Sequence, residues 1–92
     1  MAEAPVARAR LRILVLDEGD QPVAEAVVAV VRSSVPFPEI ALLTDEAGAV
    51  ELHVPAGVFA FRAQGPGGTS GEVEVTSPGA VESVIRLKGD LQ

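Results

Sequence analysis

The sequence predicts an all-β fold, a seven-stranded β-sandwich with Greek-key connections. Three observations predict it. Turn residues punctuate the chain roughly every eight to twelve residues, the spacing of sandwiches and barrels. The apolar runs between them are short and rich in Val, which suits a pleated surface better than a helix. Some runs alternate strictly, as in Val50-Glu51-Leu52-His53-Val54, the period of a strand with one wet face.

The elements follow in order. Residues 1–9 carry no period and read as an arm ahead of the domain, which occupies residues 10–88, with residues 89–92 as a tail. Arg10 to Leu16 is the first strand, and Asp17 to Pro22 is a turn by composition. Ala26 to Val31 is uniformly apolar, the mark of a central strand covered on both faces. After the Ser33-Ser34 and Pro36-Phe37-Pro38 interruptions, Ile40 to Leu43 makes a short third strand. Asp45 to Gly48 turns the chain into Val50 to Val54, and Pro55 to Gly57 turns it into Val58 to Ala63. A Gly-rich loop, Gln64 to Gly71, leads to Glu72 to Val75, and Ser77-Pro78-Gly79 leads to the last strand, Val81 to Leu87.

Composition narrows the function. The chain has 92 residues, enough for one small domain, and 48% of them are apolar, enough to fold. Its net charge of −6 argues against nucleic acid and against anionic membranes, both of which select for Lys and Arg. With no Cys there is no disulfide and no thiolate metal site. No apolar run is long enough to span a bilayer, and the first ten residues mix Ala with charge, unlike a signal peptide. The expectation is a soluble, cytoplasmic chain. A secreted mature form would present the same features.

The ordered motifs resemble a family. Asp17-Glu18-Gly19-Asp20-Gln21-Pro22-Val23 follows the first strand, Thr44-Asp45-Glu46-Ala47-Gly48 forms a later hairpin, and Pro55-Ala56-Gly57-Val58-Phe59 comes next. This set resembles the carboxypeptidase regulatory-like domain, kin of the Cna B-type and transthyretin-like, or more broadly immunoglobulin-like, β-sandwiches. The resemblance covers about residues 10 to 87. It departs from the family at Asp20 and Glu25, where the family often has Gly, and at Phe59, where Tyr is common. The resemblance implies a non-catalytic module that works beside other proteins, without a cofactor.

The chemistry of the relatives is missing. Cna B-type domains often carry a Lys–Asn cross-link, but this chain has no Asn and its single Lys, Lys88, lies past the last strand. Transthyretin-like hydrolases use several His residues, whereas His53 stands alone and alternates with apolar neighbours, so it points to solvent. Sugar-binding sandwiches stack their ligand on exposed rings. Phe59 and Phe61 share one face of a strand and read as core, which leaves only Phe37. A small-molecule ligand is therefore not expected.

Alternating strand directions bring the odd-numbered connections to one end. That end gathers Asp17, Glu18, Asp20, Asp45 and Glu46, candidate calcium ligands by residue type although not by spacing. Turn chemistry accounts for the same residues. The opposite end carries Val35 and Phe37, held by two prolines, as a docking knob or as a lid on the core. With Ile40 and Leu42 of the short strand, which could pair with a neighbour if it lies at an edge, they are the candidate partner-binding residues. The best functional expectation is a protein-interaction or assembly module that engages a protein partner or a second copy. The alternative is a carbohydrate- or calcium-binding accessory domain.

Overall fold

A pleated segment satisfies its backbone groups only through a neighbouring strand, so each apolar run must find a partner. The computed structural model describes residues 8–38, 40–79 and 81–89. They form β1 (Arg8–Leu16), β2 (Val27–Ser33), β3 (Ala41–Leu43), β4 (Ala49–Pro55), β5 (Gly57–Gln64), β6 (Ser70–Ser77) and β7 (Glu82–Arg86). A single 3₁₀ turn, Pro66–Gly68, interrupts the Gly-rich loop. Among the described residues no helix is long and apolar enough to cross a membrane.

The strands form two sheets, one in the order β4-β1-β7 and one in the order β3-β2-β5-β6. β1 is antiparallel to β4 and parallel to β7. β2 is antiparallel to β3 and β5, and β5 to β6. These directions agree with reversal at every connection. Leu11, Ile13, Val15, Leu52, Val54 and Ile85 from the three-stranded sheet share one buried cluster with Val28, Phe59, Phe61, Ala63 and Val75 from the other. The sheets come closest beside β6 and β7. A Cβ on Gly71 would lie 2.3 Å from the Arg86 carbonyl oxygen, so any larger residue there would push the strands apart.

Boundaries shift where pairing outweighs composition. β1 starts at Arg8, inside the expected arm, because Arg8 and Ala9 stand opposite Pro55 and Val54. β2 starts one residue later than expected and runs on through Ser33, opposite Phe59. Its ladder with β5 slips between Val30 and Arg32, a bulge that leaves Val31 as the extra residue. The expectation that β2 is covered on both faces is wrong. β2 does lie between β3 and β5, but Val27 is 38% and Val31 41% exposed. An unbroken apolar run cannot reveal whether anything lies over its second face.

The connections are fixed by backbone geometry. Asp20 and Glu25 hold left-handed φ values of 64° and 62°, a region that disfavours any residue with a Cβ. These are the positions where the resembled family often has Gly. Gly48, at φ 75°, has no room for a side chain, since a Cβ would sit 2.9 Å from Pro22 Cβ, the Val15 oxygen and the Val23 nitrogen. Buried Thr44 joins the first and third connections. Its hydroxyl donates to the Val23 carbonyl at 2.6 Å and accepts from the Ala26 N–H at 2.9 Å.

Two consequences can be measured by urea unfolding. Thr44→Val keeps the volume but strands the Val23 carbonyl and the Ala26 N–H, and it should cost roughly 1–3 kcal/mol. Glu25→Gly relieves the left-handed penalty and gives back part of it as unfolded-chain entropy. It should stabilise by about 0.5–1 kcal/mol.

Candidate functional site: the open face of the four-stranded sheet

The acidic end uses its carboxylates to make turns. Asp17 Oδ1 accepts from the N–H groups of Gly19 at 2.8 Å and Gln21 at 2.9 Å. Asp45 Oδ1 accepts from Ala47 and Ala49, each at 2.9 Å. Asp20 pairs with Arg86, and Glu18 accepts from the Gly89 N–H at 3.2 Å. Glu46 is exposed, on an open concavity of about 630 Å³ that Ala24, Glu25, Thr44, Asp45 and Ala47 also line. Among the described residues no three His, Cys, Asp or Glu side chains are grouped to hold a metal ion. The five calcium candidates share an end of the sandwich without converging on a point.

At the opposite end the second, fourth and sixth connections meet around Gly57. Ser34 Oγ accepts from the Val58 N–H at 2.9 Å, and Gly57 stands opposite Ser77. This arrangement turns Phe37 inward. Its ring meets Phe59 edge to face, with centroids 5.3 Å apart and planes at 73°. Val35 and Phe37 are half-buried against the core, so the lid geometry is the one adopted. Glu39, between this segment and Ile40, lies outside the described residues.

β3 does lie at a sheet edge, as the sequence reading required for a contact strand. The residues expected to make that contact face the other way. Leu42 stands opposite Val28, and both Ile40 and Leu42 pack on the core. Ala41 and Leu43 point outward, and Leu43 is 64% exposed. Side chains alternate with a period of two, so pairing with Val28 fixes the parity of the whole strand.

The outward residues make a continuous surface. Leu43 stands opposite Val27, and Ala41 opposite Ala29, so an apolar strip crosses β3 and β2. Val31 extends it along β2. Arg62 and Gln64 of β5 stand opposite Ala29 and Val27 and border a shallow depression of about 210 Å³ floored by the valines. Beyond them β6 contributes Glu72 and Glu74, with Arg32 of β2 paired to Glu72 at 3.7 Å. The face is apolar at Leu43, Ala41, Val27, Ala29 and Val31 and charged at Arg32, Arg62, Glu72 and Glu74.

The outer face of the three-stranded sheet is different. Arg10 bonds Glu51 at 2.8 Å and Arg12 lies 3.8 Å from Glu82, so charge pairs dominate this face, with Val84 exposed beside them. His53 sits exposed on the same face, in register with Arg10. The sequence does contain the signal that separates the two faces. Outward positions on β4 of the three-stranded sheet are Glu51 and His53, whereas on β2 of the four-stranded sheet they are Val27, Ala29 and Val31. Comparison with protein-family models and with curated proteins returns no match.

The position of Phe37 can be checked. Phe37→Ala removes a half-buried ring from Phe59 and should lower unfolding free energy by roughly 1–3 kcal/mol. A knob exposed to solvent would leave the urea midpoint unchanged.

Proposed function

We propose that this chain is a carboxypeptidase regulatory-like β-sandwich with Greek-key connections, serving as a non-catalytic protein-interaction or assembly module. Several features support the family reading. Asp20 and Glu25 take left-handed backbone at positions where the family often has Gly. Asp45 and Gly48 form the expected hairpin, closed by the Gly48 N–H bonding the Asp45 carbonyl at 2.9 Å. The first and last strands run parallel, side by side in one sheet, and the chain crosses between sheets at the first, third, fourth and sixth connections. The non-catalytic reading rests on the lone imidazole, His53, and on the carboxylates engaged in turns.

One observation carries the interaction reading, the apolar strip of Val27, Val31 and Leu43, where three of the six exposed large apolar side chains among the described residues lie on neighbouring strands at a sheet edge. Scattered exposed apolar residues are ordinary, but a contiguous strip that reaches a sheet edge marks a contact. β3 has only three residues, so main-chain pairing at this edge adds few hydrogen bonds. Side-chain burial on the face supplies most of the affinity.

Leu43→Glu tests this reading. The substitution lies on the surface and should change stability by no more than about 0.5 kcal/mol. Used as bait beside the native chain, it should lose the proteins, including its own copies, that the native chain retains. Identical captured sets would refute a contact at this face.

A further inference from the structure

We infer that the open face of the four-stranded sheet takes a second copy of this chain, packed face to face about a twofold axis. The inference rests on the interaction reading above and names its partner. Charge is the argument. The chain carries a net −6, yet this face holds Arg32 and Arg62 against Glu72 and Glu74 and is neutral. A copy approaching the turn end meets Asp17, Glu18, Asp45 and Glu46, and one approaching the three-stranded sheet meets Val84 among arginines and glutamates that are already paired. Here it meets no excess of its own charge sign.

The pairing within the face sharpens the point. Arg32 is matched to Glu72 in the same chain. Arg10, Arg12 and Arg86 also have carboxylate partners within the chain. Arg62 makes no ion pair with a described residue, and neither does Glu74, although both are exposed. They sit on adjacent strands, since Arg62 stands opposite Glu72 and Ala60 opposite Glu74. A twofold contact is reciprocal, so Arg62 of each copy can meet Glu74 of the other. The same face carries the strip of Val27, Val31 and Leu43, which are 38%, 41% and 64% exposed and gain cover from a second copy. An unrelated acidic partner would engage Arg62 but would be repelled by Glu74, whereas a second copy satisfies both.

Sedimentation equilibrium over a wide concentration range tests the inference. The native chain should associate to dimers. Arg62→Glu and Glu74→Arg should each weaken association on the order of tenfold or more, because each sets like charges against each other. The decisive sample is an equimolar mixture of the two variants. A heterodimer of Arg62→Glu with Glu74→Arg has opposite charges at both contacts, so mixing should restore association to near the native level. A contact confined to one chain gives no such rescue. Urea midpoints of the single variants, which should stay near native, separate lost association from lost folding. The inference is overturned by a native chain that stays monomeric throughout, by variants that dimerise like the native chain, or by a mixture that shows no restoration. Leu43→Glu failing to capture another protein that the native bait retains, beside a strictly monomeric native chain, would leave the interaction face standing and remove only the second copy.

Discussion

The fold depends on one buried hydroxyl. Thr44 ends β3 and lies 4% exposed beneath the turn that carries the chain from one sheet to the other. Four hydrogen bonds converge on it. Its hydroxyl serves Val23 and Ala26, its carbonyl accepts from the Glu25 N–H at 3.0 Å, and its N–H donates to the Ala26 carbonyl at 3.0 Å. The Val23 N–H still bonds the Val15 carbonyl of β1 at 2.9 Å, but the Val23 carbonyl and the N–H groups of Glu25 and Ala26 lie between β1 and β2 and need partners from elsewhere. Buried groups without partners are expensive, and Thr44 provides the partners from another element. The same bonds fix where β2 begins and hold β3 beside it. That sets the parity of β3 and decides that Leu43, not Leu42, faces water.

Sheets in a sandwich each have an inner and an outer face, and only the inner face is required by folding. The outer face is free to vary. On the three-stranded sheet it carries Val84 among Arg10, Arg12, Glu51 and Glu82, whose charges keep water close. On the four-stranded sheet it carries the aliphatic strip of Val27, Ala29, Val31, Ala41 and Leu43 beside Arg32, Arg62, Glu72 and Glu74. Exposed valines add nothing to the folding of the monomer. The asymmetry between the two outer faces is therefore where an interaction function is most economically read.

Much of this was legible in the sequence. The strands and the Asp45–Gly48 hairpin follow from turn chemistry and alternation, and the inward orientation of Phe59 and Phe61 follows from a period of two. The edge position of β3 was open in the sequence, because strand order depends on pairings between residues far apart. The parity of Leu42 and Leu43 was not legible for the same reason. In a run where both neighbours are apolar, periodicity gives no vote, and only the cross-strand partner Val28 decides. Phe37 was ambiguous because prolines stiffen a loop without saying which way it points. The neighbour that settles it, Phe59, is remote in sequence. The acidic turns were open to two readings in the sequence. Asp and Glu look alike as metal ligands and as turn formers, and the distinction lies in whether their oxygens already accept backbone N–H groups.

The distribution of charge binds these observations together. The excess negative charge is concentrated in the turns at one end, at Asp17, Glu18, Glu25, Asp45 and Glu46. Two copies brought together at those ends would repel. A copy laid across the four-stranded sheet keeps to a neutral field and finds apolar area beside two unmatched opposite charges. Screening matters little over a buried contact and more over the solvated turns. Added salt would therefore weaken the general repulsion between copies while leaving the apolar strip able to join them. On the proposed reading, the acidic end would disfavour a second copy and the neutral face would leave room for one.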